Sequence, residues 1–296
     1  MAAQQDALAD LVDVLDLSPL DLAGGDGEHY RFVGRSQPQP HGRAYGGQVI
    51  AQALVAAGRS VPDGRAAHSM HGYFLRPGDS NEPIEFSVER LRDGNSFSAR
   101  RTHALQRGVP ILSMIASFQT PAEGLDHQDP MPDVPGPDEL TAMHELLGQI
   151  DSPVARAWQQ NRPIDLRHVE SPIYIEPDPN PQPHQSVWMK TYGSLPDDPL
   201  LHAAVLAYAS DYSILESAIR AHGLAWSDPR LRPASLDHAM WFHRPVRADG
   251  WILYTSESPS APGGRGLGIG RMFTADGVHA ATVGQEGMLR IKDSPA

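Results

Sequence analysis

The 296-residue chain contains no cysteine, which excludes disulfides, zinc–thiolate sites and cysteine nucleophiles and leaves the redox compartment open. No run approaches the ~20 apolar residues that a membrane span requires. The N-terminal stretch "MAAQQDALADLVDVLDL" lacks the basic and apolar regions of a signal peptide, and the final "KDSPA" is not a Ser-Lys-Leu peroxisomal address. A cytoplasmic protein is expected. Positive charge is scarce: 24 Lys and Arg against 36 Asp and Glu give a formal net charge of −12. That balance argues against an extended nucleic-acid or anionic-membrane footprint, although a local basic cluster could still hold a phosphorylated small molecule. Also missing are the Gly-x-Ser-x-Gly nucleophile elbow, His-Glu-x-x-His and any Asp-rich metal loop.

What is present suits a soluble globular chain, 40% hydrophobic and 20% charged. A short amphipathic helix leads in through Leu8, Leu11, Val12 and Leu15. The first strong helix is "GGQVIAQALVAAG", 46–58, with Val49, Ile50, Ala53, Leu54 and Ala57 on one face. Strand-like runs follow: "HSMHGYFL", "IEFSVERL", "SFSARRTHAL" and "PILSMIASFQ", with turn signals "RDGN" and "QRGV" between them. A Pro-rich acidic stretch from Thr120 to Pro137 marks a linker, and a crossover helix is expected over Leu140–Gln160. The pattern then restarts with a long helix, "PLLHAAVLAYASDYSILESAIRAHG", and the strands "SLDHAMWFHRP", "WILYTSES", "GLGIGRMF" and "VHAATVGQEGMLR".

Helix followed by antiparallel strands, twice, reads as α+β built from two copies of one unit. "HGYFLRP" corresponds to "AMWFHRP", and "QRGVP" to "ADGVH". The division expected is a first unit over 1–120, a linker with crossover helix over 121–162 and a second unit over 163–296.

The segment "ASLDHAMWFHRP", 234–245, places Ser, Asp and His within four residues. Strand alternation would put Ser235 and Asp237 on one face and His238 on the other, which disfavours a compressed Ser–His–Asp triad. His68 and His71 likewise alternate to opposite faces, which disfavours a metal pair. The most informative residue is Asp211. With Ala204, Tyr208 and Leu215 it falls on one stripe of the second helix, where a carboxylate is costly unless hydrogen-bonded. Either the helix is rotated so that Asp211 touches water, or Asp211 is a buried functional acid served by a hydroxyl and an amide. Ser235 and Gln285 are the candidates for those two groups.

Taken together, "AYGGQVIAQAL", "HSMHGYFLRPGDS", "LRDGNSFSARR", "YASDYSILESA", "SLDHAMWFHRP" and "VGQEGMLR" resemble the acyl-CoA thioesterase II (TesB-like) family over about residues 29–120 and 163–296. The resemblance implies a tandem double hotdog, hydrolysis of fatty acyl-CoA to free acid and CoA, and no cofactor or metal. It implies Asp211, Ser235 and Gln285 as catalytic residues, with serine where the family commonly has threonine. An acyl-CoA substrate is expected, with a homo-oligomer (a dimer of double hotdogs) as the assembly and neither a nucleic-acid partner nor a membrane span.

In that setting Asp211 would serve as general base or orienting acceptor for a water that Ser235 and Gln285 hold in place. Gly46, Gly47 and Gln48, at a helix start with unpaired N–H groups, are oxyanion or substrate-binding candidates. Arg100, Arg101, Arg265 and Arg271 are candidate phosphate partners. The rival readings are a hotdog acyl-CoA hydratase, for which no His–Asp pair is visible, and a catalytically silent acyl-CoA-binding protein. One active site per chain is expected: aligning Arg76-Pro77 on Arg244-Pro245 and Gly108-Val109 on Gly277-Val278 sets Ala67 against Ser235 and Ala116 against Gln285.

Overall fold

Both halves repeat one succession of elements, and their strands join in a single antiparallel sheet. The computed structural model describes residues 2–21, 28–151 and 153–292. The first half runs α1 (Ala2–Leu15), β1 (Ser18–Asp21), β2 (His29–Gly34), α2 (Gly46–Gly58), β3 (Ala66–Phe74), β4 (Ile84–Asp93), β5 (Phe97–Gln106) and β6 (Val109–Gln119). After the Pro-rich segment come α3 (Met143–Gly148) and α4 (Pro153–Asn161), so the expected crossover helix is two short ones. The second half runs β7 (Ile164–His168), β8 (His184–Thr191), α5 (Pro199–Ser210), α6 (Glu216–Ala221), β9 (Leu231–Ser235), β10 (Asp237–Phe242), β11 (Ile252–Ser260), β12 (Arg265–Thr274) and β13 (His279–Ile291).

The strand order is β1-β2-β4-β5-β6-β3-β10-β13-β12-β11-β8-β7, with β9 paired to β13. It reads alike from either end, because β3 meets β10 at the centre. There His71 faces Ala239, the residue its own alignment makes equivalent, as a local two-fold requires. The other ladders agree. Gly72 faces Met114 as Met240 faces Val283, and Ala67 faces Phe118 as Ser235 faces Gly287.

The two principal helices, α2 and α5, pack against one another inside the curve of this sheet. Every residue from Gly47 to Ala57 is buried, so α2 is covered all round and is not merely one-faced. Its two buried amides are satisfied. Gln48 Oε1 accepts the Gln37 N–H at 2.9 Å, and Gln52 Nε2 donates to the Val14 and Arg35 carbonyls at 2.9 and 3.0 Å.

Two expectations are corrected here. The long second helix ends at Ser210, and a turn over 211–215 separates it from α6. The run Ser210-Asp211-Tyr212-Ser213 explains the stop, because such side chains compete for backbone groups; Ser210 Oγ lies 2.8 Å from the Ala207 carbonyl. "SLDHAMWF" is likewise two strands. The pairing with β13 slips by one residue between Ser235–Gly287 and Ala239–Gly284, so a bulge at Leu236–Asp237 resets the alternation. Ser235 and His238 consequently both reach the helix side of the sheet. The first half carries the same slip between Ala67 and Ser69.

Candidate active site

Asp211 stands at the C-cap of α5, on the turn that ends the helix, and its side chain is half-buried. β9 and the bulge bring Ser235 to it, and the middle of β13 brings Gln285. Gln285 Nε2 donates to Asp211 Oδ1 at 2.9 Å and to Ser235 Oγ at 2.9 Å. Ser235 Oγ–H points at the same Oδ1 from 3.4 Å, a long contact. The third partner of the carboxylate comes from the other half. The first turn of α2 has no side-chain cap of its own, and the Gly47 N–H donates to the Asp211 carboxylate. A carboxylate belongs at that position, where unpaired N–H groups and the helix dipole converge.

The amide of Gln285 fixes the orientation of the rest. A carboxylate only accepts, so Nε2 must face Asp211 and Oε1 must face His238. Gln285 Oε1 contacts His238 Nδ1, which therefore carries the hydrogen. Burial pushes the His238 pKa down, so the ring is neutral and Nε2 accepts; Ser210 Oγ lies 2.9 Å from it. The chain of donors runs His238 to Gln285 to Asp211, and Ser210 Oγ shares its one hydrogen between His238 Nε2 and the Ala207 carbonyl. Burial pushes the Asp211 pKa above the ordinary aspartate value, opposed by His238, the Gln285 amide, the Gly47 N–H and the Ser235 hydroxyl. The carboxylate is thus a stronger base than a surface aspartate and remains reachable from solvent.

Of the sequence candidates, Asp211, Ser235 and Gln285 are brought together, and Gly46 and Gly47 form part of the same wall. The room those glycines leave is taken by the protein itself. A Cβ at Gly46 would lie 2.8 Å from Asp211 Oδ2 and 3.2 Å from the Phe74 ring, and one at Gly47 would lie 2.5 Å from the Tyr208 carbonyl oxygen. The Gln48 side chain is spent on Gln37 and Gln52 and does not face the site.

The four arginines singled out as phosphate partners are already engaged. Arg100 is fully buried and bonds Ser60 and Asp93; Arg101 pairs with Glu89, Arg265 with Glu286 and Arg271 with Asp129. His68 lies apart, bonded to Ser117. Missed by the sequence reading were His238, which strand alternation set on the face opposite Ser235, and Ser210. Tyr45, whose hydroxyl donates to the Tyr208 carbonyl at 2.9 Å and whose ring stacks on Tyr212 at 5.1 Å, was missed as well. Only the bulge makes His238 part of the site, and no sequence signal announces it.

The equivalent place in the first half has different chemistry. Ala67 stands for Ser235, Met70 for His238 and Ala116 for Gln285. Arg59 holds the α2 C-cap position that Asp211 holds on α5. Arg100 fills the interior there, donating to the Ser60 carbonyl at 2.9 Å.

Two family models cover most of the chain: "Acyl-CoA thioesterase" matches residues 177–288 and "Acyl-CoA thioesterase N-terminal domain" matches 35–119. Acyl-coenzyme A thioesterase 8 of Homo sapiens is 42% identical over 293 residues, covering 94% of this chain and 88% of that protein. Acyl-CoA thioesterase 2 of Haemophilus influenzae is 36% identical over 294 residues, covering 97% and 99%. Among solved structures, the acyl-CoA thioesterase II TesB2 of Mycobacterium marinum superposes with a TM-score of 0.78 at 43% identity, covering 96% of this chain and 99% of that one. A hot dog protein of unknown function from Alicyclobacillus acidocaldarius, 18% identical with a TM-score of 0.76 over 96% and 98%, shares the fold.

Proposed function

The chain belongs to the acyl-CoA thioesterase II (TesB-like) family of double-hotdog thioester hydrolases, and on that premise we propose that Asp211, Ser235 and Gln285 hold and activate the water that cleaves a fatty acyl-CoA. The observation that carries this reading is that one amide, Gln285 Nε2, ties Ser235 Oγ and a half-buried carboxylate with a raised pKa together at 2.9 Å each. A thioester needs little activation, because its thiolate leaves readily. The requirement is a water held at the carbonyl carbon with a base beside it.

Asp211 takes a proton from that water as its oxygen bonds to the acyl carbon, and general-base assistance of this kind is worth about 10²–10⁴ in rate. Gln285 presents the carboxylate, and the Ser235 oxygen holds the water's remaining hydrogen. His238, bonded to Gln285 Oε1, is a positioning residue that keeps the amide from turning over. The tetrahedral intermediate then expels the CoA thiolate, which the proton from Asp211 neutralises. With the Gly47 N–H held by Asp211, the N–H groups of Gly46 and Gln48 in the first turn of α2 are the donors at hand for the oxyanion.

Ser235 has no nucleophilic part in this scheme. Its oxygen accepts the Gln285 amide, and its one close base is the carboxylate reserved for water. For the assembly we propose a dimer of double hotdogs. The exposed Tyr73, Ile115 and Trp241 on the outer face of β3, β6 and β10 supply apolar surface for such a contact.

Turnover in ¹⁸O-enriched water tests the mechanism. One label per turnover is expected in the released acid, none in the peptide bearing Asp211, and no acyl adduct by intact mass. An adduct on Ser235, or label in Asp211, contradicts direct attack by water.

A further inference from the structure

A groove of ≈ 630 Å³ lies against β9 and the end of β13, lined by Arg43, Arg232, Arg290, Lys292, Ala234 and Met288 among others. Its four cations have no carboxylate partner among the described residues. Arg232 donates only from Nη1, to the Pro229 and Leu231 carbonyls at 2.6 and 2.9 Å, which leaves Nε and Nη2 with no partner among the described residues. Arg232 and Arg290 are moreover cross-strand neighbours, directly opposite on the β9–β13 ladder. Like charges in that arrangement repel and destabilise the pair. A chain of net charge −12 has acids to spare, and it pairs Arg101, Arg265 and Arg271 with them. The described residues leave the groove uncompensated.

It also adjoins the site. Ala234 precedes Ser235, and Met288 follows Gly287, the ladder partner of Ser235. Arg43 is three residues before Gly46, where an added Cβ would lie 2.8 Å from Asp211 Oδ2. The loop bearing Arg43 is bonded to the segment beyond β3, with the Ala44 N–H on the Gly78 carbonyl and the Ser80 N–H on the Gly42 carbonyl. Arg43 thus reaches the groove from the side of β9 that pairs with no described strand. That free edge separates the groove from the carboxylate on the inner face.

We infer that this groove binds the phosphorylated nucleotide end of the CoA thioester, with Arg43, Arg232, Arg290 and Lys292 meeting its 3′-phosphate and pyrophosphate. The inference rests on the reading of Asp211 as the hydrolytic centre, since the pantetheine arm must run from this groove past the β9 edge to it. Guanidinium groups bind phosphate oxygens bidentately, and clustered cations attract an anion that the field of an acidic protein would otherwise turn away.

The probe is adenosine 3′,5′-bisphosphate, titrated calorimetrically into the full-length protein. Arg43→Glu/Arg290→Glu should weaken its binding at least tenfold, while the charge-matched control Arg31→Glu/Arg107→Glu, on exposed arginines elsewhere, binds as the wild type does. The same groove variant should lower, by tenfold or more, the ratio of kcat/KM on an acyl-CoA to kcat/KM on the matching acyl-pantetheine. Added salt should lower that ratio in the wild type, because exposed charges are screened. Equal weakening in variant and control would reduce the effect to net charge and overturn the site, as would an unchanged ratio. The titration does not depend on turnover. Bisphosphate binding lost in the groove variant of a protein whose Asp211→Asn form still hydrolyses thioester would sustain the groove and defeat the catalytic reading. Hydrolysis that needs Asp211, with bisphosphate binding indifferent to Arg43 and Arg290, would do the reverse.

Discussion

Gln285 and Asp211, 74 residues apart, are joined by a 2.9 Å hydrogen bond from the amide of a central strand to the carboxylate at a helix end. The bond is directional, because the other end of that amide is held by His238. Gln285→Ala should lower kcat at least tenfold with the protein folded, and Ser235→Ala should do the same. Ser235→Thr keeps the hydroxyl and should keep most of the activity. A thiol-release assay with one long-chain acyl-CoA checks all three, and full activity in Ser235→Ala would remove Ser235 from the site.

The pH dependence follows from the raised Asp211 pKa. The working form is the carboxylate, so kcat/KM should fall as the pH is lowered, with a midpoint above the ~3.9 of an ordinary aspartate. His238 is held neutral by burial and should add no limb of its own near its ordinary value. Stability carries the opposite sign. A group whose folded pKa is raised stabilises the fold below its unfolded pKa and loses that contribution as the pH climbs through the folded value. At pH 7 Asp211→Asn should therefore unfold at the same or a higher urea concentration than the wild type, a margin that shrinks in acid.

Gly46 and Gly47 separate function from folding. A methyl at Gly46 meets Asp211 Oδ2 at 2.8 Å, the end of a side chain that can be pushed aside. Gly46→Ala should stay folded and lose at least tenfold in kcat. At Gly47 the obstacle is the Tyr208 backbone oxygen at 2.5 Å, which cannot yield without parting α2 from α5. Gly47→Ala should cost about 1–3 kcal/mol of stability by urea denaturation.

Most strands after each principal helix were legible in the sequence because they bury one face and alternate; β11, buried in succession over 252–256, was legible as an apolar run. β8 was not, and its burial shows why. Residues Gln185–Met189 are buried in succession, with α6 on one side and the Pro-rich segment on the other, where Trp188 Nε1 bonds the Pro135 carbonyl. A strand covered on both faces has no two-residue period to read. Asp211, Ser235 and Gln285 were legible largely through the family resemblance. The helix stripe that singled out Asp211 belonged to a longer helix than the one that forms. His238 was hidden by a bulge of one residue, which reverses every inside–outside assignment beyond it.

The two halves should bind unequally. Ala67, Met70, Ala116 and Arg59 occupy the first-half positions, so one carboxylate site per chain is expected. Calorimetric titration with a non-hydrolysable thioether analogue of the acyl-CoA should saturate at one ligand per chain. Two equivalent sites would mean that the halves act alike.

The most direct measurement of the central claim is the turnover of Asp211→Asn on a long-chain acyl-CoA, followed by thiol release, in protein shown by the thioether titration to bind as the wild type does. The substitution is nearly isosteric and removes only the capacity to take a proton. Loss of at least about 10² in kcat with binding retained is the result predicted. Turnover within a fewfold of wild type, in a variant with no carboxylate at 211, would contradict it.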